Sequence, residues 1–310
     1  MASNTDWTFE GSWPYEPHWC ESEDGRMHYV DEGPRDGRPV VMVHGNPTWG
    51  YLYRNFVPPL VEAGFRVIVP DHLGFGRSEK PDDPELYRVP RHAHRLEALL
   101  ESLDLSEATV VPQDWGGPTG LYWATRHPDR VAGLFILNTF AHGWHPEALP
   151  PGKDKVPLPL PLRLFRTPLV GEVMVKGLDA FKRGFLFRQG VVHRDRMTPA
   201  VKRAYRAPHA GWSERTSILV FPREIPVTGD GPVVAMNAEI ESGLVRDFRS
   251  KPVTIAWAMK DVAFTPQVLE GLWLQTFPDA EVIRLEEAGH YLQEDAHERI
   301  VPELLRHLRG

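Results

Sequence analysis

Short runs of apolar, mostly β-branched residues recur along the chain and predict its strands. Most runs are near-continuous rather than alternating, which is typical of strands that a parallel sheet buries on both faces. The predicted strands are residues 27–30, 40–43, 65–69, 108–111, 131–137, 253–257 and 282–285. Together they predict one mainly parallel sheet.

Apolar residues at helical spacing lie between several of these runs. Two clear sets are Leu96, Leu99, Leu100 and Leu103, and Val301, Leu304, Leu305 and Leu308. We expect Pro302 near the first turn of the second helix, where a missing N–H is tolerated. Strands that alternate with helices predict an α/β fold, with helices flanking a mostly parallel central sheet.

The alternation stops between about residues 142 and 225. Prolines crowd residues 146–168, and phenylalanines and basic residues follow. This composition favours helices and disfavours strands. A helical insertion after a strand end predicts a cap over the crevice where α/β sheets bind ligands. A surface excursion or an oligomer contact is the alternative. The predicted domains are a core, 1–141 with 226–310, and a helical cap, 142–225.

Composition narrows the class of protein. The net charge of −7 gives no electrostatic reason to expect nucleic acid or an anionic membrane as a partner. Cys20 is the single cysteine, so no intramolecular disulfide forms, which suits a reducing cytoplasm. The first residues lack the basic and apolar regions of a signal peptide. No run approaches the roughly 18 apolar residues of a membrane span. We therefore expect a cytoplasmic protein.

Residues 111–117, VPQDWGG, are the strongest chemical signal. They join a predicted strand to a helical segment beginning near Pro118, which is the setting of a nucleophile elbow. Asp114 stands where serine hydrolases carry serine. A carboxylate is ionised at neutral pH and needs no base to attack carbon. The chain is therefore predicted to be a hydrolase that forms an alkyl ester on Asp114; a buried aspartate capping the helix is the alternative.

Two further candidates follow later strands. Asp261 comes after the strand at 253–257, and His290 comes after the strand at 282–285. The order nucleophile, acid, histidine is that of α/β-hydrolases. We expect His290 to take a proton from water and Asp261 to orient its imidazole. An oxyanion site would use the backbone N–H groups of Trp115 and Asn46.

Four segments carry a resemblance to haloalkane dehalogenases, which have the α/β-hydrolase fold with a helical cap. The likeness runs from about Trp13 to the C-terminus and is weakest in the cap. The segments are residues 44–48 (HGNPT), 71–81 (DHLGFGRSEKP), 113–117 (QDWGG) and 289–294 (GHYLQE).

The resemblance implies particular roles for Asn46 and Trp115. In dehalogenases of the asparagine–tryptophan type, the side-chain amide and the indole N–H hold the departing halide. Some members place the acid after the strand that follows the elbow, but this chain has Asn138 there. Asp261 then supplies the acid. The implied partners are a small apolar haloalkane, water and the halide product.

Several alternatives remain at this point. An epoxide hydrolase would use the same Asp-His-Asp triad, but its usual pair of cap tyrosines is reduced here to Tyr205. Fluoroacetate-type dehalogenases carry arginines near the nucleophile, which QDWGG does not supply. A non-catalytic scaffold usually lacks a triad member, whereas all three positions are filled here.

No Cys/His cluster has metal-ligand spacing, so neither a metal nor an organic cofactor is expected. Cap residues Phe165, Phe181 and Leu186 are candidate pocket liners. Oligomeric state and preferred halide stay open.

Overall fold

A computed structural model describes residues 5–148 and 154–310. Residues 1–4 and 149–153, which fall in the predicted core and cap ranges, lie outside the described residues. The strands are His18–Cys20 (β1), Met27–Glu32 (β2), Pro39–Val43 (β3), Arg66–Pro70 (β4), Ala108–Pro112 (β5), Val131–Leu137 (β6), Val253–Ala258 (β7) and Glu281–Leu285 (β8). All seven predicted strands are confirmed within a few residues. The three-residue β1 was not predicted.

The eight described strands form one sheet in the order β1-β2-β4-β3-β5-β6-β7-β8. β2 is antiparallel to β1 and β4, and every other pair is parallel. All residues of β3 and β5 are buried, because helices cover both faces at the centre of the sheet. The predicted mostly parallel α/β sheet is therefore confirmed.

The helices connect the strands and form the layers around them. They are Val57–Glu62 (α1), Val89–Ser102 (α2), Gly116–Arg126 (α3), Leu160–Arg166 (α4), Pro199–Arg206 (α5), Thr216–Glu224 (α6), Pro232–Gly243 (α7), Pro266–Val268 (α8), Leu274–Thr276 (α9) and Leu292–Arg309 (α10). Short 3-10 turns are Gly50–Tyr53, Pro84–Tyr87, Pro128–Arg130, Pro146–Ala148, Arg194–Arg196, Ala207–His209 and Ser213–Arg215, and π-helical segments are Glu172–Gly177, Phe181–Gln189, Leu244–Phe248 and Leu269–Trp273. None of the helices in the described residues is long and apolar enough to cross a bilayer.

Two helix predictions are wrong in detail. α3 begins at Gly116 rather than Pro118, because Trp115 already has helical dihedral angles directly after the elbow. Pro302 lies inside α10 rather than near its first turn, because that helix starts at Leu292 and is interrupted at Ala296.

The secondary structure of the stretch predicted as a cap consists of helices and helical turns joined by loops, where it is described. Its described residues contain no strand, as expected. They contact the loops at the carboxyl ends of the strands: the carbonyl of Ile218 on α6 accepts a hydrogen bond from the Asn46 side chain, and Ala204 on α5 accepts one from the Trp49 indole.

Candidate active site

The predicted site residues meet at the carboxyl ends of four parallel strands, β3, β5, β7 and β8. Asn46 follows β3, Asp114 and Trp115 follow β5, Asp261 follows β7 and His290 follows β8. Because parallel strands end at the same edge, loops far apart in sequence converge there. The structure brings all five residues together.

The backbone at Asp114 is bent into an elbow. Its φ is 51°, a left-handed conformation that is unusual for a residue other than glycine. The Asp114 N–H donates to the Asn138 carbonyl at 2.9 Å, and the Thr139 hydroxyl donates to the Asp114 carbonyl. A Cβ at Gly45 would lie 2.2 Å from Asp114 Oδ1. The turn and the glycine together hold the carboxylate against the loop after β3.

His290 lies between two carboxylates. Its Nδ1 donates to Asp261 Oδ2 at 2.9 Å, and its Nε2 lies 3.5 Å from Asp114 Oδ2. All three residues are buried. Asp261 therefore fixes the orientation of the imidazole, and Nε2 faces the candidate nucleophile.

The two carboxylates also determine the charge of His290. Burial alone would lower the pKa of His290, but the charge of Asp261 and the hydrogen bonds to Asp114 and Asp261 outweigh burial and raise it to about 10. The resting site thus holds an imidazolium at neutral pH. Removal of the Asp114 charge would remove one of the interactions that stabilise it.

Asn46 presents two N–H donors at this site. Its backbone N–H donates to Asp114 Oδ1 at 2.7 Å, and its side-chain Nδ2 donates to the Ile218 carbonyl at 3.3 Å. Its Oδ1 is buried and has no hydrogen-bond partner among the described residues. One hydrogen of Nδ2 remains for a further acceptor.

Aromatic rings surround these polar groups. Trp115 is buried between Phe140 and Phe221, with ring centroids 5.0 and 5.1 Å away. Phe185 and Phe264 lie 5.2 and 5.5 Å from the His290 ring. An apolar ligand suits such a lining, and an anion formed inside it would depend on the few N–H donors present.

Two of the predicted pocket liners, Phe165 and Phe181, are linked to His290 only through another ring. Phe165 stacks on Phe181 at 5.4 Å, and Phe181 contacts Phe185 at 5.7 Å. Phe185, which was not predicted, is the ring that contacts His290. Leu186 is fully buried.

Sequence reasoning missed the polar contacts of three residues. The Gln113 amide Nε2 lies 3.3 Å from His290 Nε2 and donates to the His290 carbonyl at 3.2 Å. Asn138, at the alternative acid position, donates to Asp261 Oδ2 at 2.9 Å. The Tyr291 hydroxyl donates to the Asn46 carbonyl at 3.2 Å. Adjacency to the predicted residues marked Gln113 and Tyr291, whereas the contact of Asn138 depends on the fold.

Tyr205 is engaged away from the candidate nucleophile. Its hydroxyl donates to Glu294, whose carboxylate also pairs with Arg54 at 2.5 Å. Burial and the charge of Glu294 raise the pKa of Tyr205 well above its usual value. The phenol is therefore a poor proton donor to a ligand near Asp114.

The described residues contain no group of three or more His, Cys, Asp and Glu side chains arranged to hold a metal ion. The arrangement of nucleophile, histidine and donors is instead suited to attack on carbon followed by attack of water.

Comparison with known proteins identifies similar chains. Residues 38–169 match the α/β-hydrolase fold family model. The chain is 38% identical to a cis-3-alkyl-4-alkyloxetan-2-one decarboxylase of Shewanella oneidensis, covering 93% of this chain and 86% of that one. It is 34% identical to haloalkane dehalogenase 2 of Mycobacterium bovis, covering 94% and 95%. The structure of haloalkane dehalogenase DbeA from Bradyrhizobium elkani superimposes with a TM-score of 0.83 at 29% identity, covering 95% and 98%.

Proposed function

Because the chain belongs to the haloalkane dehalogenase family of the α/β-hydrolase fold, we propose that it hydrolyses carbon–halogen bonds of small apolar haloalkanes to an alcohol and a halide ion. One observation carries the proposal. A carboxylate occupies the nucleophile elbow, beside His290 and the N–H donors of Asn46, inside an aromatic lining. Acyl transfer of the serine-hydrolase type would need a serine at that position, where this chain has Asp114.

In the first half of the reaction, an oxygen of Asp114 attacks the halogen-bearing carbon. The carbon–halogen bond breaks from the opposite side, and the bond pair leaves with the halide. The Asn46 side-chain amide and the Trp115 indole are the proposed donors to this halide. Neutral donors stabilise an anion in an apolar site without pairing with Asp114 beforehand. An alkyl ester of Asp114 results.

In the second half, water attacks the ester carbonyl. Esterification removes the Asp114 charge, so the pKa of His290 falls and the imidazolium releases its proton to solvent, which is the acid released in each turnover. Neutral His290, oriented by Asp261, then takes a proton from the attacking water. The backbone N–H of Asn46, already 2.7 Å from Asp114 Oδ1, and that of Trp115 are the proposed oxyanion donors. On collapse the C–O bond to the alkoxide breaks and the alkoxide takes the proton from His290. The remaining carboxyl proton passes to His290, which restores the Asp114 carboxylate and the imidazolium.

Halide release from a short terminal dibromoalkane tests this proposal. Wild type is expected to release bromide and acid in equal amounts, and Asp114→Asn is expected to release neither. Asp36→Asn, which changes an exposed aspartate, is the matched control and keeps full activity. Equal bromide release from the Asp114→Asn variant would contradict the assignment.

A second candidate function has its own support. The sequence identity of this chain to the Shewanella oneidensis oxetan-2-one decarboxylase, 38%, is higher than its identity to the Mycobacterium bovis dehalogenase, 34%. The same nucleophile suits that chemistry. Asp114 would attack ring carbon C4, and the ring carboxylate would leave in place of the halide. Loss of CO2 then moves the C2–C3 bond pair into a C3–C4 double bond and expels Asp114, with no water consumed.

Isotope labelling separates the two functions. With haloalkane in H2¹⁸O, hydrolysis of the ester places ¹⁸O in the Asp114 carboxylate, which peptide mass spectrometry detects. Turnover of a cis-3,4-dialkyl oxetan-2-one to alkene and CO2 leaves Asp114 unlabelled. The result with each substrate assigns the activity.

Epoxide hydrolysis is not favoured, because the Tyr205 hydroxyl is buried and donates its hydrogen bond to Glu294, so it is not available to protonate a leaving alkoxide.

We further propose that residues 142–225 form the cap over this site, since Ile218, Phe221 and Phe185 reach it from that stretch. A cytoplasmic location remains a proposal from the single cysteine, Cys20.

A further inference from the structure

The surface of the cap stretch, residues 142–225, is unusually apolar. Among the described residues, eight large apolar side chains are exposed, and six of them lie in this stretch. They are Leu160, Leu169, Val170, Val173, Leu178 and Trp212. We call these six residues the cap patch. Contiguous exposed apolar surface marks an interaction site more often than isolated residues do.

The chain geometry places most of the patch together. The Val173 N–H donates to the Leu169 carbonyl, so these two residues lie one helical turn apart on one face. A Cβ on Gly177 would lie 3.3 Å from the Trp212 ring, which places that ring beside the end of the same segment and next to Leu178. The patch therefore follows the outer side of residues 169–178.

Charge is distributed unevenly between the cap stretch and the rest of the chain. Residues 142–225 contain 15 Lys and Arg against seven Asp and Glu, a net charge of +8. The whole chain carries −7, so the remaining residues carry −15. The net charge of the whole chain gives no reason to expect an anionic partner. It does not show that the cap stretch is positively charged.

Exposed cations lie in the same stretch as the patch. Lys155, Arg163 and Arg183 are exposed, and Asp154 is the one exposed acidic residue in the described range 154–183. Arg163 and Arg183 form no ion pair with any described residue. Arg163 follows Leu160 by three positions on α4 and so shares its face.

We propose that the cap patch docks on the surface of an anionic lipid bilayer. Aliphatic side chains with a tryptophan and flanking arginines are the combination that enters the headgroup region. A second copy of this chain suits the patch less well, because a symmetric contact would bring the exposed cations Arg163 and Arg183 of the two copies towards each other.

Docking in this orientation would turn the patch segment, which contacts a row of rings leading to His290, toward the apolar phase. A Cβ on Gly171, within the patch segment, would lie 2.1 Å from the carbonyl of Phe165. From Phe165 a row of rings continues through Phe181 and Phe185 to His290. Delivery of an apolar substrate from the bilayer rests on the proposed function; docking itself does not.

Co-sedimentation with vesicles tests the docking. Wild type is expected to bind vesicles of phosphatidylglycerol mixed with phosphatidylcholine, less at high salt, and not phosphatidylcholine alone. Arg163→Glu and Val173→Asp are each expected to bind about tenfold more weakly. Arg309→Glu and Val245→Asp change an exposed cation and an exposed apolar residue outside the cap and should bind as wild type.

Two further readings complete the test. Binding should shift tryptophan emission to shorter wavelength, and Trp212→Phe should lack that shift. Every variant should turn over a short dibromoalkane normally in vesicle-free buffer, so loss of docking is distinguishable from failure of the proposed function. The proposal is overturned if wild type does not bind the vesicles, or if the control variants lose as much vesicle binding as the cap variants. It is also overturned if the cap variants instead abolish self-association or capture of an acidic protein.

Discussion

At the level of single residues, the charge of His290 links stability to catalysis. The imidazolium lies between Asp261 and Asp114, which raise its pKa to about 10 although burial acts in the opposite direction. The same ring has to be neutral to accept a proton from water. In the proposed mechanism, esterification of Asp114 supplies that change, because it removes one of the two negative charges.

This arrangement predicts a pH dependence of stability. The folded pKa of His290 lies above the ordinary value of about 6.5, so its contribution is complete below pH 6.5 and is lost as the pH rises towards about 10. The free energy of unfolding of wild type, measured by urea titration across this window, should fall more steeply than that of His290→Gln. Parallel curves would contradict the high pKa.

Gln113 is a second residue with a specific expected effect. Its amide Nε2 donates to the backbone carbonyl of His290 and lies 3.3 Å from the ring Nε2, to which it can donate only once the imidazole is neutral. Gln113→Leu removes a contribution of about 1 kcal/mol, and hydrolysis of the ester should slow about fivefold. Alkylation of Asp114 should slow less.

Rapid-quench kinetics separates these two steps for Gln113→Leu. Gln189→Leu, which changes an exposed glutamine of the cap stretch, is the control and should leave both rate constants unchanged. Equal slowing of alkylation and hydrolysis would instead indicate a general packing role for Gln113.

At the level of elements, the loop after β3 and the elbow after β5 depend on each other. Gly45 approaches the Asp114 carboxylate so closely that a Cβ would lie 2.2 Å from Oδ1. The Tyr291 hydroxyl, donating to the Asn46 carbonyl, supports the same loop from the start of α10. Small residues at this contact are therefore a requirement of the site geometry.

Gly45→Ala is expected to displace the Asp114 carboxylate and reduce halide release by about a hundredfold, since misplacement by roughly 1 Å has effects of that size. Circular dichroism should show the native secondary structure. Gly271→Ala, at a helical glycine with no atom within 4 Å of an added Cβ, is the control. Near-normal activity of Gly45→Ala would show that the loop adjusts freely.

The elements also show how far sequence reasoning extends. Apolar runs predicted β2 to β8. Burial on both faces explains this trace in central strands such as β3 and β5, but in β8, at the edge of the sheet, only Leu285 is buried. β1 has only three half-buried residues and leaves no such trace. Pro302 was misplaced because α10 starts at Leu292, in a segment whose pattern is not periodic.

At the level of the whole molecule, strand order explains why the residues predicted for the site lie together. Asp114, Asp261 and His290 each follow a strand, and parallel strands end at one edge, so positions in sequence predict proximity. The cap side of the site was less predictable. Phe185, Phe221 and Ile218 reach it from helices whose orientation no local pattern specifies. The whole-chain net charge of −7 does not reveal that residues 142–225 carry +8 and the remaining residues −15.

The most direct test of the account is detection of the ester on Asp114. His290→Gln, which lacks the proposed base, is treated with a dibromoalkane and examined by intact-mass and peptide mass spectrometry. We predict that one bromoalkyl group accumulates on Asp114 with release of one bromide per protein molecule, and that Asp114→Asn acquires none. An unmodified His290→Gln protein, or a group attached to another residue, would contradict the central claim.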